Sequence, residues 1–341
     1  MQNNKHITQN THIEIIQPEL YREGKDGKIE RAKSILRLGA YDVACKQVLS
    51  KNGLDAVKFN YFVKWNDSFT DGEIQPEIWI KKNIILRNAA GLDDIQTFIT
   101  SDVYTGLQNE EGRSHMDRTK DIFSTLDITM RYLMLIDNRN YKKVQKRSLV
   151  GFFLDYYGYG KFDTHQVVLE DLENQIKLYT GRAFQMNKKP LIYSETKLER
   201  YLSTTDAVFP GDCDEMIFDN NQNVVCILEY KKSTSNDTRH RKVCDQSFTD
   251  YLRQGDNHGK DWLKYLRLNI LRKYIEYKQK RQIPLINVIY SVVNKDRQTK
   301  VEEINHDLTV DNYLVFDVAG NYTDNKMLLL NKVRELVHNR N

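Results

Sequence analysis

Apolar and polar positions follow two different periods along the chain, and the clearest blocks lie in its C-terminal third. Apolar residues recur at helical spacing over residues 262–281, which predicts a helix that Pro284 ends. An apolar run over residues 285–293 predicts a strand, as does a second run over residues 310–318. Residues 326–338 predict a closing helix. This order of elements predicts a crossover connection between neighbouring parallel strands.

The pattern over residues 209–232 predicts a β-hairpin. A short apolar run at 216–218 is followed by an Asn-rich turn at 219–223 and a second apolar run at 224–228. Asn and Asp favour tight turns because their side chains bond to nearby backbone groups. The second run is apolar at every position, as expected for a strand that is buried on both faces.

The N-terminal part carries a mixture of helical and strand patterns. Residues 32–51 predict a helix that stops at Gly53, and residues 57–65 and 78–86 predict strands. Aromatic and basic residues alternate in these strands, so the sheet either faces DNA or packs one aromatic face on the core. Residues 114–157 are predicted to be mostly helical.

We expect two regions, residues 1–157 and 158–341, with the boundary at a glycine-rich turn around Gly158. The first is a candidate DNA-recognition region. In the second, residues 163–181 predict a helix with Asp163 as its N-cap, and residues 190–193 predict the first strand of the core. The sequence shows no internal repeat.

The charged residues around the predicted hairpin suit a metal site. Side chains alternate along a strand, so Glu229 and Lys231 share one face and leave the backbone carbonyl of Tyr230 between them. Asp214 on the neighbouring strand completes a set of oxygen ligands, with Asp212 as its alternative. Such oxygens bind Mg²⁺, and a lysine beside them orients or deprotonates a water. The simpler interpretation is a salt bridge between Glu229 and a following lysine.

These motifs resemble the core of the PD-(D/E)XK nuclease superfamily over about residues 160–295. The resemblance rests on Gly211-Asp212-x-Asp214, a strand, a turn, an apolar strand and Glu229-x-Lys231. It implies an α/β chain of mixed α+β type, with a restriction-endonuclease-like core in which helices flank a central mixed sheet. That core is expected to contain a helix, a three-stranded meander, a crossover helix and a further strand. A mixed α/β region would precede it.

The resemblance also implies roles for individual residues. Asp214 and Glu229 would hold Mg²⁺, for which Mn²⁺ would substitute, and Lys231 would position the attacking water. The first core helix of the superfamily often offers an acid, and Glu173 takes that role here, with Glu170 behind it. The chain departs from the family pattern because a second aspartate follows Asp212, so either aspartate can be the ligand.

Positive charge is concentrated after this hairpin. The whole chain carries a formal net charge of +4, yet residues 231–300 hold 17 Lys and Arg against 7 Asp and Glu. A basic block next to a metal site suits a nucleic acid, although a solvated helix face has the same composition. The candidate DNA-binding residues are Lys232, Arg239, Arg241, Lys242 and Lys264.

The resulting hypothesis is a Mg²⁺-dependent endodeoxyribonuclease, first of all a Type II restriction endonuclease. A structure-specific or non-specific repair or phage-defence nuclease is an alternative, and a non-catalytic nucleic-acid-binding protein is another. A homodimer is one option for cutting both strands. The four cysteines lack zinc-ligand spacing and fit a reducing cytoplasm, and the apolar runs are too short to cross a membrane.

Overall fold

The computed structural model describes fourteen stretches of the chain: residues 12–16, 21–23, 29–31, 43–68, 70–87, 100–136, 145–181, 193–194, 196–207, 210–233, 243–252, 261–291, 298–318 and 326–338. The strands are β1 (His12–Ile16), β2 (Tyr21–Glu23), β3 (Ile29–Arg31), β4 (Leu54–Trp65), β5 (Gly72–Arg87), β6 (Thr129–Ile136), β7 (Leu149–Gly158), β8 (Lys161–Val168), β9 (Tyr193–Ser194), β10 (Gly211–Asp219), β11 (Val224–Ser233), β12 (Leu285–Ser291), β13 (Gln298–Ile304) and β14 (Val310–Asp317). The helices are α1 (Val43–Lys51), α2 (Thr100–Glu111), α3 (Arg113–Thr125), α4 (Leu169–Thr180), α5 (Lys197–Leu202), α6 (Phe248–Leu252), α7 (Trp262–Gln279) and α8 (Lys326–His338).

One mixed sheet of eleven strands runs through the described part of the chain. Ten of them lie in the order β14-β13-β12-β11-β10-β4-β5-β6-β7-β8, and β1 pairs with the end of β5. Strands β2, β3 and β9 form a separate small sheet. Helices cover both faces of the large sheet, so the predicted mixed α/β fold with a large mixed sheet is confirmed.

The large sheet consists of two units with the same topology. The N-terminal unit runs from β4 to α4 and the C-terminal unit from β10 to α8. Each begins with an antiparallel hairpin, crosses over through helices to a parallel strand, and adds two antiparallel strands and a helix. The units meet where β4 and β10 pair antiparallel, which relates them by an approximate two-fold axis. The sequence shows no repeat, whereas the topology contains one.

Three apolar clusters hold helices against the sheet. The front face, which we define as the face under α2, α3 and α7, has one continuous cluster across both units. The back face has two clusters, one under α4 and α5 and the other under α1 and α8. The helix that precedes each unit packs beneath the other unit. α5, which precedes β10, packs with α4 of the N-terminal unit, and α1, which precedes β4, packs with α8 of the C-terminal unit. This exchange ties the two units into one body.

Several predicted elements are confirmed. The helix predicted over residues 262–281 is α7, and the closing helix is α8 with the predicted bounds. The predicted hairpin at 209–232 is the β10–β11 pair, and β12 runs parallel to β11 as a crossover requires. The turn is built by Asp219, whose Oδ1 accepts hydrogen bonds from the backbone N–H groups of Asn221 and Asn223.

The helical prediction over residues 114–157 is wrong beyond α3. The chain instead forms β6 and β7, which lie inside the sheet and are buried along most of their length. A strand that is buried on both faces has no alternation of apolar and polar residues, so its pattern is difficult to tell from that of a buried helix.

The predicted start of the next helix at Asp163 is also wrong. Residues 161–168 form β8, and α4 starts at Leu169 after Val168, which makes no side-chain cap. β8 is an edge strand in which four of the eight side chains are exposed and one is buried, which gives a polar sequence that resembles a helix cap. The predicted stop at Gly181 is correct, since this residue adopts the left-handed conformation at φ 75°.

Of the first core strand, predicted over residues 190–193, only Tyr193 lies within the described residues, and it does not lie beside the hairpin. The described residues Tyr193 and Ser194 pair with β2 in the small sheet, and the strand next to β10 is β4. The boundary predicted between residues 157 and 158 falls at the end of β7, and the sheet continues across it. The two units divide the chain elsewhere, between α4 and β10.

Candidate functional site

A β-bulge at the start of β10 sets the position of Asp214. The pairing with β4 shifts between Cys213, opposite Phe59, and Met216, opposite Val57, so β10 carries one extra residue there. An extra residue re-aims the side chains beside it. Cys213 and Met216 both belong to the front cluster, and Asp214 between them comes within 3.8 Å of the α7 side chain Lys264.

Asp214 and Glu229 face each other across the hairpin. Their neighbours Glu215 and Leu228 are paired in the ladder, which places Asp214 one step further on, opposite Glu229. Asp214 Oδ2 accepts a hydrogen bond of 3.0 Å from the backbone N–H of Tyr230. The structure therefore joins the predicted acid of the first strand to the predicted acid of the second.

Glu229 is the most deeply buried member of the site, with no exposed surface. Its Oε2 is a buried oxygen without a hydrogen-bond donor among the described residues. Burial raises the pKa of Glu229 to about 8, and the charge of Asp214 adds to this effect, while Lys264 and Lys231 oppose it. Burial disfavours the charged form of this carboxyl group, and a bound cation would stabilise that form.

Lys264 was predicted to bind DNA, but its ammonium lies among the acids. Nζ is 2.6 Å from Glu229 Oε1, 3.3 Å from Asp212 Oδ2 and 3.8 Å from Asp214 Oδ1. Burial would lower the pKa of Lys264, but these three carboxylates together raise it well above its ordinary value. The sequence pattern predicts Lys264 on the basic outer side of a crossover helix that packs on the sheet, whereas the structure directs its side chain to the acids of the hairpin.

Lys231 lies on the other side of Glu229. Its Nζ is 3.2 Å from Glu229 Oε1 and 3.4 Å from Oδ2 of Asp261, the residue before α7. The ring of Tyr265 lies beneath it at 5.2 Å. These contacts hold the ammonium next to the predicted ligand, as the role of a water-positioning lysine requires.

The geometry favours Asp214 over Asp212 as the partner of Glu229. The Asp212 side chain is 38% exposed and that of Asp214 is 17% exposed. Burial alone would raise the pKa of Asp212, but Lys264, with Lys58 and Lys81, lowers it below its ordinary value. Asp212 therefore lies at the charged rim of the site, and Asp214 lies inside it.

On the back face of the sheet, a buried ion pair supports β11 at Tyr230, the residue between Glu229 and Lys231. Glu215 accepts hydrogen bonds from the Tyr230 hydroxyl and from Lys326 at the start of α8. Glu215 and Lys326 have no exposed side-chain surface. The Tyr230 ring is thereby fixed on the back face, which orients Glu229 and Lys231 towards the front. Whether the Tyr230 carbonyl binds a metal stays a prediction.

A second buried network lies behind the site on the front face. Asn287 pairs with Glu229 across β11 and β12, accepts a hydrogen bond from the Tyr265 hydroxyl at 2.8 Å, and donates one to Glu302 at 3.1 Å. Lys300 lies 2.9 Å from Glu302. In the sequence, Asn287 interrupts the apolar stretch of β12, and this polar residue is the signal that indicates the network.

Glu173 does not reach the site. It is buried in α4 and forms an ion pair with Lys146, on the back face of the N-terminal unit. The helix that directly precedes β10 is α5, whose Glu199 lies 3.6 Å from Lys81. Lys81 is also one of the charges that act on Asp212. An acid from the preceding helix is thus near the rim of the site, but it is Glu199.

The other predicted DNA-binding residues are only partly visible. Arg239, Arg241 and Lys242 lie outside the described residues, as does the side chain of Lys232.

Within the described ranges, no helix combines the length and apolar character needed to cross a membrane. Cys226 is buried in the back cluster under α8.

Asp214 and Glu229 offer carboxylate oxygens, which are ligands that hard divalent cations prefer, and one Glu229 oxygen is buried without a donor among the described residues. Across the described part of the chain, no group of three or more His, Cys, Asp or Glu side chains has an arrangement that could hold a metal ion. The ammonium of Lys264 lies between the carboxylates and would have to move aside.

Comparisons with known proteins give no family. No family model matches the sequence, and no curated protein is significantly similar to it. A solved sex pheromone staph-cAM373 precursor is 9% identical over 90% of this chain and 85% of its own, with a TM-score of 0.17. A sex pheromone precursor from Lactobacillus salivarius subsp. salivarius UCC118 is 9% identical over 78% of this chain and 68% of its own, with a TM-score of 0.15. TM-scores this low do not indicate a common fold.

Proposed function

We propose that the protein is a Mg²⁺-dependent endodeoxyribonuclease with a restriction-endonuclease-like core. One observation carries the proposal: a buried Glu229 with an orphan oxygen meets Asp214 and Lys231 where a hairpin adjoins a parallel crossover strand. This arrangement is the one that the resemblance to PD-(D/E)XK nucleases implies. A buried carboxylate oxygen without a donor costs free energy, and a bound cation would offset that cost.

In the proposed reaction a water attacks the scissile phosphorus, and a phosphorus–oxygen bond to the sugar breaks. Asp214 and Glu229 would hold Mg²⁺, which neutralises charge that develops on the phosphate oxygens. The Lys231 ammonium orients the attacking water, whose proton passes to solvent or to a phosphate oxygen, and the sugar oxygen leaves after taking a proton from solvent. Asp261 and Tyr265 keep the Lys231 ammonium in place.

The chain's own residues also prepare the site before DNA binds. The backbone N–H of Tyr230 fixes one Asp214 oxygen, and the Glu215–Lys326 pair fixes the Tyr230 ring. Preorganised groups of this kind lower the cost of reaching the transition state. Lys264 would exchange its contacts with the acids for a contact with the DNA phosphate, which keeps its predicted role in DNA binding.

Within this class, a Type II restriction endonuclease is our first choice. The sheet continues without a break into the N-terminal unit, which gives the cutting centre a rigid neighbour that can contact bases. A restriction enzyme produces discrete DNA fragments, whereas a repair or phage-defence nuclease produces smears or cuts at branches.

A second candidate function is non-catalytic nucleic-acid binding. The observation that favours it is Lys264, which forms ion pairs with Asp212, Asp214 and Glu229 and so satisfies part of their charge. Under this alternative the acids form a structural ion cluster. The protein would then retain DNA without cutting it.

Plasmid cleavage distinguishes the two candidates. The protein is incubated with plasmid DNA and Mg²⁺, then with EDTA, and the reaction is repeated with Glu229→Gln and Lys231→Met. We expect cutting that requires Mg²⁺ and is lost in both variants. Unchanged cutting by either variant would refute the site assignment, and DNA binding without any cutting would favour the second candidate.

A further inference from the structure

The N-terminal unit contains a charged cluster at the position equivalent to the proposed cutting centre. Asp55 at the start of β4, Lys82 on β5, and Glu111 and His115 from the crossover helices come together on the front face. In the C-terminal unit the start of β10, the end of β11 and α7 supply the corresponding groups. Both clusters lie beneath the crossover helices of their unit.

Within this N-terminal cluster, which we call closed, each acid forms an ion pair with a basic side chain. The His115 Nδ1 lies 2.8 Å from Asp55 Oδ1, and Nε2 lies 3.1 Å from Glu111 Oε2. Arg118 Nη2 is 2.6 Å from the other Asp55 oxygen, and Lys82 forms an ion pair with Glu111. Each acid therefore has a basic partner, and the formal charges of Asp55, Glu111, Lys82 and Arg118 cancel.

The C-terminal cluster is not closed in this way. Lys231 and Lys264 both lie beside Oε1 of Glu229, and its Oε2 is buried without a donor among the described residues. A divalent cation would give this oxygen a partner.

The central strand of the N-terminal unit also lacks the required acid. On β5 the residues directed to the front face over residues 78–84 are Ile78, Ile80, Lys82 and Ile84. Within residues 78–84, no register of β5 against β11 places a carboxylate on the front face where Glu229 lies. The N-terminal cluster thus has the place of a cutting centre without its metal-binding pair.

The two clusters cannot combine into one centre. β4 is antiparallel to both β5 and β10, and β10 is antiparallel to β11. β5 and β11 therefore run in opposite directions, so the carboxyl-terminal end of β5 lies on the same side of the sheet as the amino-terminal end of β11. The chain resembles a dimer of two cores in which only one core retains the chemistry.

We propose that each chain carries a single cutting centre and nicks one strand of duplex DNA, because the N-terminal unit is a non-cutting copy of the C-terminal unit. This inference rests on the proposed nuclease function. It identifies the product of one binding event as an open circle, and a double-strand break then needs a second event or a second chain.

A time course on supercoiled plasmid tests this proposal. Full-length protein is added with Mg²⁺, and supercoiled, open-circular and linear DNA are separated on a gel at each time. Glu229→Gln, Glu111→Gln and His115→Gln are run in parallel, with thermal unfolding of each variant as a check on folding. We expect open circles to accumulate before any linear DNA. Glu229→Gln should lose nicking, while Glu111→Gln and His115→Gln should keep the wild-type rate.

The possible failures are distinguishable. Linear DNA that forms without a preceding open circle, at protein concentrations where the chain is monomeric, overturns the single-centre proposal and leaves the nuclease function intact. Loss of cutting in folded His115→Gln or Glu111→Gln also overturns it, because the N-terminal cluster would then take part. If the wild-type protein leaves the plasmid supercoiled under all conditions, the nuclease function fails, and the nicking proposal fails with it.

Discussion

The two units of the sheet share a topology but differ in the state of the charged cluster that each holds under its crossover helices. In the N-terminal unit, His115 bridges two acids and each acid has a cationic partner. In the C-terminal unit, Glu229 is buried with an oxygen that no described donor reaches. The same framework therefore holds one cluster that is electrostatically complete and one that is not.

This difference separates stability from function. A closed set of buried ion pairs is expensive to break, because removal of one partner leaves an uncompensated charge. A cluster that contains a buried carboxylate oxygen without a donor gains from a ligand and is a site candidate for that reason. We therefore expect substitutions in the N-terminal cluster to change unfolding, and those in the C-terminal cluster to change activity.

The largest effect is expected for Glu229→Gln. The amide keeps the shape of the side chain but removes the charge, so we expect about a thousandfold loss of the DNA cleavage rate. The rate is measured with Mg²⁺ in excess. Glu111→Gln in the other cluster is the matched control and should retain the wild-type rate. Equal losses in the two variants would contradict the division between the units.

Lys82→Met should have the largest effect on stability. Lys82 and Glu111 have at most 3% exposed side-chain surface, so the substitution leaves a buried carboxylate without its cation. We expect the free energy of unfolding to fall by about 3–5 kcal/mol, measured by urea denaturation. Lys231→Met is the control for size, and its smaller destabilisation would confirm that the closed cluster has the structural role.

Lys231→Met should in turn reduce cleavage by about a hundredfold, because the attacking water would lose the group that orients it. DNA affinity should change little, because Lys231 is directed to Glu229 and Asp261. Single-turnover cleavage and a filter-binding assay separate the two effects. A loss of affinity as large as the loss of rate would assign Lys231 to DNA binding.

Much of the C-terminal unit could be predicted from the sequence because its elements have distinct periods. α7, α8 and the hairpin follow regular apolar patterns, and the predicted hairpin with strand alternation places Glu229 and Lys231 beside Asp214 or Asp212. These contacts are local, within one hairpin.

What the sequence could not supply depends on contacts between distant segments. Lys264 joins the site only because α7 crosses the hairpin, and β4 lies beside β10 from more than a hundred residues away. The inner strands β6 and β7 carry no alternation that distinguishes them from a buried helix. The topological repeat leaves no trace in the residues, since it is a pattern of strand pairing.

Among the predicted effects, the smallest is the change of the free energy of unfolding with pH that comes from the N-terminal cluster. Burial would raise the pKa of Asp55, but His115 and Arg118 outweigh it and lower the pKa below its ordinary value of 3.8. The stabilisation is fully present above the pKa of the unfolded state and is lost as the pH falls through the lower pKa of the folded state. Urea denaturation of wild type and Asp55→Asn from neutral to acidic pH measures this term. A difference between them that does not shrink below pH 3.8 would contradict it.

Metal binding tests the comparison between the units most directly. The binding of Mn²⁺ to the full-length protein is measured by titration, without DNA, for the wild type, Asp214→Asn, Glu229→Gln and Asp55→Asn. We expect one Mn²⁺ per chain in the wild type and in Asp55→Asn, and its loss in the other two variants. Absence of binding in the wild type, or binding that survives in Glu229→Gln, would contradict the assignment of a metal-dependent centre to the C-terminal unit.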